Sequence, residues 1–128
     1  PDCDLELAEA KQNFETAFKS GFGEEPTFDL TILGMGPDGH VASLFPGQHR
    51  PGDLVIAEPA SPKPPAQRLS LSYQALNRSQ EVWFIASGAA KADAVRCAFR
   101  EDCDLPVAKI SGQKSTRWFI DAELNRAL

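Results

Sequence analysis

Two apolar runs, each followed at once by a glycine turn, constrain the fold of this 128-residue chain most strongly. The first run spans residues 28–33 and precedes the segment GMGPDG, and the second spans residues 82–86 and precedes SGAAK. Both runs are short and partly β-branched, which is typical of buried strands. A helix is predicted over residues 89–99, directly after the second turn. Strands that alternate with helices indicate an α/β fold with a mainly parallel sheet.

The other elements follow from periodicity and from the positions of proline and glycine. Helical spacing predicts a helix over residues 4–20 that Gly21 and Gly23 end. A short helix is predicted from His40 to residue 44, ahead of Pro46. Further strands are predicted at residues 54–57, 69–72 and 118–120, and helical segments at residues 73–77 and 122–128, the last capped by Asp121.

Composition and charge exclude several classes of protein. Hydrophobic residues make up 42% of the chain, which is enough for a packed core. The net charge is −5, and lysines and arginines are scattered, so nucleic-acid and anionic-membrane partners are not expected. No apolar run is long enough to cross a bilayer. A small anionic substrate stays compatible with this charge, because a few local cations can attract it.

The three cysteines, Cys3, Cys97 and Cys103, are odd in number and fit no zinc-binding spacing. This pattern predicts three free thiols in a reducing cytosol, and therefore a cytoplasmic protein.

The segment GMGPDG admits two interpretations. Its glycines, Gly34, Gly36 and Gly39, match the G-x-G-x-x-G motif of dinucleotide-binding folds, and Glu58 lies at a suitable spacing for a ribose-binding acid. A proline and an aspartate inside the turn, a short following helix and prolines in the expected crossover count against that interpretation.

In the second interpretation the glycines expose Asp38 and His40. A carboxylate two residues from an imidazole can orient it, and an imidazole titrates near neutrality, so it can take a proton from water. The alternative is that Asp38 caps a helix and that His40 is an ordinary first-turn residue. The spacing leaves both possibilities open.

Two cations lie next to predicted turns. Lys91 follows SGAA at the start of a predicted helix, where it could help to bind phosphate or could be a solvated surface lysine. Arg68 could bind phosphate through a bidentate fork or could anchor the proline-rich loop before it. The chain contains no G-x-S-x-G elbow, and its two histidines lack a metal-ligand spacing.

Five segments, in order, resemble the 6-phosphogluconolactonase family, which is related to glucosamine-6-phosphate isomerase/deaminase. They are FDLTILGMGPDGHVASLFPG, SPKPPAQRLSL, ALN, VWFIASGAAKADAV and WFID. The resemblance implies a three-layer, Rossmann-like fold with helices on both faces of the sheet. It also implies hydrolysis of 6-phospho-D-glucono-1,5-lactone to 6-phosphogluconate in the oxidative pentose phosphate pathway, with no metal and no organic cofactor.

The resemblance assigns roles to single residues. His40 matches the family's acid/base histidine, and Asp38 would orient it. Lys91 matches the lysine that meets the substrate phosphate, and Arg68 matches an arginine near that site. The residues that would shape the loop are Gly34, Gly36 and Gly39.

Two other functions are compatible with the same resemblance. The isomerase/deaminase relatives carry a glutamate after the histidine, in a pattern like GHIAFNEPG, whereas this chain has Phe45 at that place. Phenylalanine cannot move a proton, so Phe45 favours the lactonase. The third possibility is a non-catalytic phosphosugar-binding module, which would need neither Asp38 nor His40.

The resemblance also implies that residues 1–128 form one partial domain, the C-terminal part of the enzyme. Family members have an N-terminal half with a Gly/Ser-rich phosphate loop, and residues 1–27 resemble the helix that joins the halves. We therefore expect this chain by itself to be weakly active or inactive and to expose a face or an edge of its sheet. Such a surface would favour homo-oligomers or association with the missing half.

Overall fold

The computed structural model describes residues 5–48 and 54–128. These residues form five strands, four α-helices and two short 3₁₀ helices, the latter at Ala89–Lys91 and Pro106–Lys109. None of the described helices is both long enough and apolar enough to cross a membrane. In chain order the main elements are α1 (Leu7–Phe22), β1 (Phe28–Gly34), β2 (Val55–Glu58), β3 (Arg68–Leu71), α2 (Tyr73–Leu76), β4 (Ser79–Ala86), α3 (Ala92–Ala98), β5 (Ser115–Ile120) and α4 (Ala122–Ala127).

A three-stranded parallel sheet with the order β1-β4-β5 forms the centre of the fold. Gly34 of β1 pairs with Ile85 of β4, which in turn pairs with Phe119 of β5. The carboxyl ends of the three strands therefore lie side by side at one edge of the sheet. This arrangement confirms the predicted α/β class with a mainly parallel sheet. The second sheet is the antiparallel pair β2-β3, against which α1 packs through Phe14 and Phe18.

One face of the parallel sheet carries the main core. Alternate residues of β4, among them Val82 and Phe84, are fully buried because strand side chains point to opposite faces in turn. The ring of Trp118 in β5 stacks on Phe84 with 4.5 Å between ring centroids. Buried side chains of α3 and α4, including Val95 and Leu124, complete this layer.

We predict that replacing Phe84 by alanine lowers the free energy of unfolding by about 3–5 kcal/mol, the usual range for a buried phenylalanine. The ring is 1% exposed, so its removal leaves a cavity that the neighbouring strands cannot close. Chemical denaturation measures the loss. Phe84→Leu should lose less, because most of the apolar volume stays; equal losses for both variants would contradict the packing described here.

The opposite face of the parallel sheet is open in the described residues. Four large apolar side chains on it, Leu30, Ile32, Ile85 and Phe119, are between 39% and 56% exposed. Parallel sheets are normally covered on both faces. The strand prediction for residues 28–33 is confirmed, but the prediction that this strand is buried is wrong for Leu30 and Ile32, which point to the open face. The expected exposed sheet face is therefore observed, and the described residues provide a helical layer on one face only.

The predicted short helix after the first turn is wrong. Val41 instead forms isolated antiparallel bridges with Met35 and Leu44. Ala42, which lies between Val41 and Leu44, has a φ of 49°. This left-handed conformation is incompatible with a right-handed helix. The Ser70 hydroxyl accepts a hydrogen bond from the Ser43 N–H at 3.1 Å and fixes this turn against β3.

The prediction of three free thiols is also wrong, because Cys97 and Cys103 form a disulfide. Helix α3 ends at Ala98, and a turn then folds the chain back, with the Arg100 N–H donating to the Cys97 carbonyl. The turn brings the two Cα atoms to 5.4 Å, a separation that a disulfide can bridge. Cys3 lies outside the described residues.

Candidate active site

The segment from Gly36 to His40 forms a closed turn directly beyond β1. The Gly36 N–H donates to the His40 carbonyl at 2.9 Å, and the Gly39 N–H donates to the Gly36 carbonyl at 3.0 Å. Gly39 has a φ of 77°, which favours glycine. The Gly39 carbonyl accepts a hydrogen bond from the Val107 N–H, so a residue distant in sequence also holds the turn.

Within this turn the side chains of Asp38 and His40 meet. Asp38 Oδ1 and His40 Nδ1 are 2.6 Å apart, a hydrogen-bond distance. Asp38 is a hydrogen-bond acceptor when ionised, so Nδ1 carries the hydrogen, and in the neutral imidazole Nε2 then has the lone pair. The His40 side chain is 17% exposed, so part of it is accessible to solvent. The pair therefore presents an oriented imidazole with one free basic nitrogen.

The charges around Asp38 keep its carboxylate ionised. Burial by itself would raise the pKa of Asp38, but the hydrogen bond and charge of His40, together with the charge of Lys63, lower it below its ordinary value. An ionised Asp38 is the form that can hold Nδ1–H of His40.

Phe45 forms one wall beside the imidazole. Its ring centroid lies 5.0 Å from that of His40, and the side chain is 2% exposed. The guanidinium carbon of Arg68 lies 5.6 Å from the centroid of the same ring. The position at which the deaminase pattern has a glutamate is thus occupied by a buried aromatic ring in contact with His40.

The proline-rich loop 61–68 lies beside Phe45 and Asp38. Arg68 donates from Nε to the Pro65 carbonyl at 3.0 Å, and from Nη2 to the carbonyls of Lys63 and Pro64 at 2.8 and 2.9 Å. Arg68 therefore anchors the loop, one of its two predicted roles, and its Nη1 forms no hydrogen bond with the loop carbonyls that Nε and Nη2 contact. Its predicted contact with phosphate remains a prediction.

Lys63 is a member of this site that sequence reasoning missed. Its Nζ lies 3.4 Å from Asp38 Oδ1 and 3.5 Å from His40 Nδ1. A usable signal was present, because Lys63 is the cation between two prolines in the segment SPKPP.

Lys91 lies on the neighbouring turn, beyond β4. Gly88, with a φ of 92°, starts this turn, and Lys91 ends its short 3₁₀ helix with a half-buried side chain. Because β1 and β4 are parallel neighbours, the turn lies at the same sheet edge as Asp38 and His40. Among the described residues Lys91 forms no hydrogen bond or ion pair with either of them, and its role in binding phosphate remains a prediction.

Asp121 holds the second turn in place. It accepts hydrogen bonds from the Ser87 hydroxyl at 2.5 Å and from the Gly88 N–H, and it caps α4 through the Leu124 N–H, as predicted. The Ser87 and Leu124 hydrogen bonds lower the pKa of Asp121, against a smaller opposing effect of burial. The carboxylate therefore links the Lys91 turn to the start of the last helix.

The structure argues against the dinucleotide interpretation of GMGPDG. No residue in the described stretch 35–48 is helical, so the turn does not present a helix N-terminus to a pyrophosphate. Glu58, the proposed ribose ligand, is fully buried and accepts a hydrogen bond from the Ala60 N–H. In the part of the chain that the structure describes, no group of three His, Cys, Asp or Glu side chains could hold a metal ion.

Comparisons with known proteins agree with one another. Residues 1–118 match the protein family described as glucosamine-6-phosphate isomerases/6-phosphogluconolactonase. The 6-phosphogluconolactonase of Mycobacterium tuberculosis is 44% identical over 105 residues, covering 77% of this chain and 42% of that protein. The 6-phosphogluconolactonase of Rattus norvegicus is 36% identical over 135 residues, covering 99% of this chain and 52% of that protein.

A solved structure shows the same fold. The 6-phosphogluconolactonase from Thermotoga maritima superposes with a TM-score of 0.82 at 36% identity, over 93% of this chain and 53% of that one. The chain thus spans about half the length of the relatives that it matches.

Proposed function

Because this chain belongs to the glucosamine-6-phosphate isomerase/6-phosphogluconolactonase family, we propose that its protein hydrolyses 6-phospho-D-glucono-1,5-lactone to 6-phosphogluconate. The reaction would belong to the oxidative pentose phosphate pathway. The observation that carries the proposal is the hydrogen bond of 2.6 Å between Asp38 and His40, at the carboxyl edge of the parallel sheet. The names of the relatives support the same activity.

In the proposed mechanism, Nε2 of His40 takes a proton from water as the water oxygen adds to the lactone carbonyl carbon. The carbonyl π electrons move to oxygen and form a tetrahedral anion. When the anion collapses, the bond from this carbon to the ring oxygen breaks, and His40 returns its proton to that oxygen. Asp38 holds Nδ1–H throughout and stabilises the imidazolium. The reaction needs no further co-reactant, because a lactone is an activated ester.

Two cations are proposed to bind the substrate phosphate. Lys91 lies at the same sheet edge as the His40 turn, and the Nη1 group of Arg68 is not used by the proline-rich loop. Gly36 and Gly39 shape the turn that carries the base, and Gly34 ends the strand before it.

The contact between Phe45 and His40 favours the lactonase over the related deaminase. A deaminase opens a sugar ring and shuttles protons, which requires a carboxylate next to the histidine. Here the neighbour is a buried phenylalanine ring 5.0 Å away. A non-catalytic phosphosugar-binding module is less well supported, because binding alone does not call for an oriented imidazole.

The proposed function is tested with the protein expressed from its complete coding sequence. The lactone is generated in the assay, acid release is followed, and spontaneous hydrolysis is subtracted. We expect turnover of the lactone and no release of ammonia from glucosamine 6-phosphate. Ammonia release without lactone hydrolysis would reassign the activity to the deaminase, and tight binding of both sugars without turnover would indicate the binding module.

Replacing Lys91 by methionine is expected to raise KM for the phosphorylated lactone about 10- to 100-fold, the usual value of a hydrogen bond to a charged group. The change in kcat should be smaller, because the phosphate is bound equally in the ground state and the transition state. Initial-rate kinetics measure both constants. The unphosphorylated lactone serves as the control substrate, since its KM should not respond. A Lys91→Met enzyme with unchanged KM for the phosphorylated substrate would rule out the phosphate contact.

A further inference from the structure

The ammonium group of Lys63 lies closer to the Asp38–His40 pair than any other cation in the part of the chain that the structure describes. It is within 3.4 Å of Asp38 Oδ1 and 3.5 Å of His40 Nδ1. The side chain is 42% exposed, so the ammonium faces both the pair and the solvent side of the site. A surface ion pair of this exposure contributes little stability. The small stability that this ion pair contributes therefore does not explain why the loop fixes the position of Lys63.

The loop holds Lys63 by its backbone on both sides. The Ser61 hydroxyl accepts a hydrogen bond from the Lys63 N–H at 3.2 Å and donates one to the Lys63 carbonyl at 2.8 Å. Arg68 donates to the same carbonyl. Pro62 and Pro64 flank the lysine, and their rings restrict φ on either side. The lysine is thus presented from a pre-ordered backbone, as groups that act on substrate need to be.

The chemistry of the pair determines what Lys63 can bind. Because Nδ1 of His40 carries a hydrogen toward Asp38, it cannot also accept one from Lys63. Asp38 Oδ1 is therefore the acceptor for Lys63, and this bond uses one of the three ammonium donors. The other donors, and the positive charge, remain beside the imidazole.

We propose that Lys63 is a catalytic residue that donates a hydrogen bond to the anionic oxygen formed on the substrate carbonyl; this inference rests on the proposed lactone hydrolysis. When water adds to the carbonyl carbon, the π electron pair becomes a negative charge on oxygen, while the proton goes to His40. That charge would be repelled by the Asp38 carboxylate. Lys63 offsets Asp38 and stabilises the new anion, which exists only in the transition state and the intermediate.

The test compares Lys63→Met with Lys114→Met in the protein expressed from its complete coding sequence. Both variants remove one lysine charge and keep an unbranched side chain. Lys114 is exposed and directly precedes β5, at the opposite edge of the sheet from the His40 turn, so it controls for the change in net charge. Initial-rate kinetics on the phosphorylated lactone give kcat and KM for each enzyme.

We expect Lys63→Met to lower kcat about 10²-fold, the usual effect of one oxyanion donor, with KM changed less than about threefold. Lys114→Met should match the unmodified protein. A kcat close to that of the unmodified protein would overturn the proposal, and so would a loss confined to KM, which would make Lys63 a ground-state ligand of the phosphate. If the unmodified protein itself shows no lactone hydrolysis, the proposed function fails before Lys63 is tested.

Discussion

Replacing His40 by alanine is expected to lower kcat for the lactone by about 10²- to 10⁴-fold, the contribution of a positioned general base. The expectation rests on the hydrogen bond from Nδ1 to Asp38, which leaves Nε2 as the free base of the pair. The side chain is 17% exposed, so thermal unfolding of the variant is needed to separate loss of the base from loss of fold. Steady-state kinetics, corrected for spontaneous hydrolysis, measure the loss.

Two controls make the His40 result specific. Affinity for the product, 6-phosphogluconate, should change little in His40→Ala, because the phosphate is proposed to bind Lys91 and Arg68 instead. Adding Asp38→Asn to His40→Ala should lower kcat much less than Asp38→Asn does in the unmodified protein, because the main effect of Asp38 passes through the imidazole. A His40→Ala enzyme that keeps its turnover would refute the mechanism. An Asp38→Asn change that lowers kcat equally in both backgrounds would give the carboxylate a role independent of His40.

Replacing Gly36 by alanine is expected to lower kcat about 10²-fold or more, although neither Asp38 nor His40 is replaced. A Cβ built on Gly36 would overlap the imidazole of His40 and the carboxylate of Asp38. The pair would have to separate or the turn would have to open, and a displacement of about 1 Å at a reacting group costs about 10²-fold. Kinetics on the lactone, combined with thermal unfolding, distinguish loss of site geometry from loss of fold.

The matched control for Gly36 is Gly21→Ala. Gly21 lies in the last turn of α1, and a Cβ there meets no atom within 4 Å. The same chemical change should therefore leave kcat unaltered at that position. Full activity in Gly36→Ala would show that the turn adapts, and the geometry described for Asp38 and His40 would then not be needed for catalysis.

Local patterns predicted the elements of this fold well. Strand β1 begins at the predicted residue, Phe28, and Asp121 caps α4, because apolar runs and capping side chains act over a few residues. The helix predicted at His40 failed for a non-local reason. The turn there is held by Val107 and Ser70, which are distant in sequence, and no local signal reports those hydrogen bonds.

Burial was less predictable than secondary structure. The runs around Ile32 and Ile85 have the composition of buried strands, yet both side chains are more than half exposed. An apolar composition predicts that other residues pack on this face of the sheet. It does not predict which segment packs there.

The site was predicted in part. Spacing alone brought Asp38 and His40 together as one of two possibilities, and the observed hydrogen bond selects it. Lys63 lies 23 residues from His40 in sequence. Its approach depends on a loop conformation that Ser61 and Arg68 impose through backbone hydrogen bonds. Contacts of this kind follow from tertiary structure, and a single sequence does not contain a periodic signal for them.

The acid and the imidazole of this site share one five-residue turn, and that turn closes on itself through two backbone hydrogen bonds. Lys91, by contrast, lies on the turn after β4, so a displacement of that turn would move the lysine while the Asp38–His40 hydrogen bond stays in place. Substrate binding and proton transfer can therefore change independently during evolution. Substitutions in the turn after β4 would alter the proposed phosphate contact and leave the turn that carries the base unchanged.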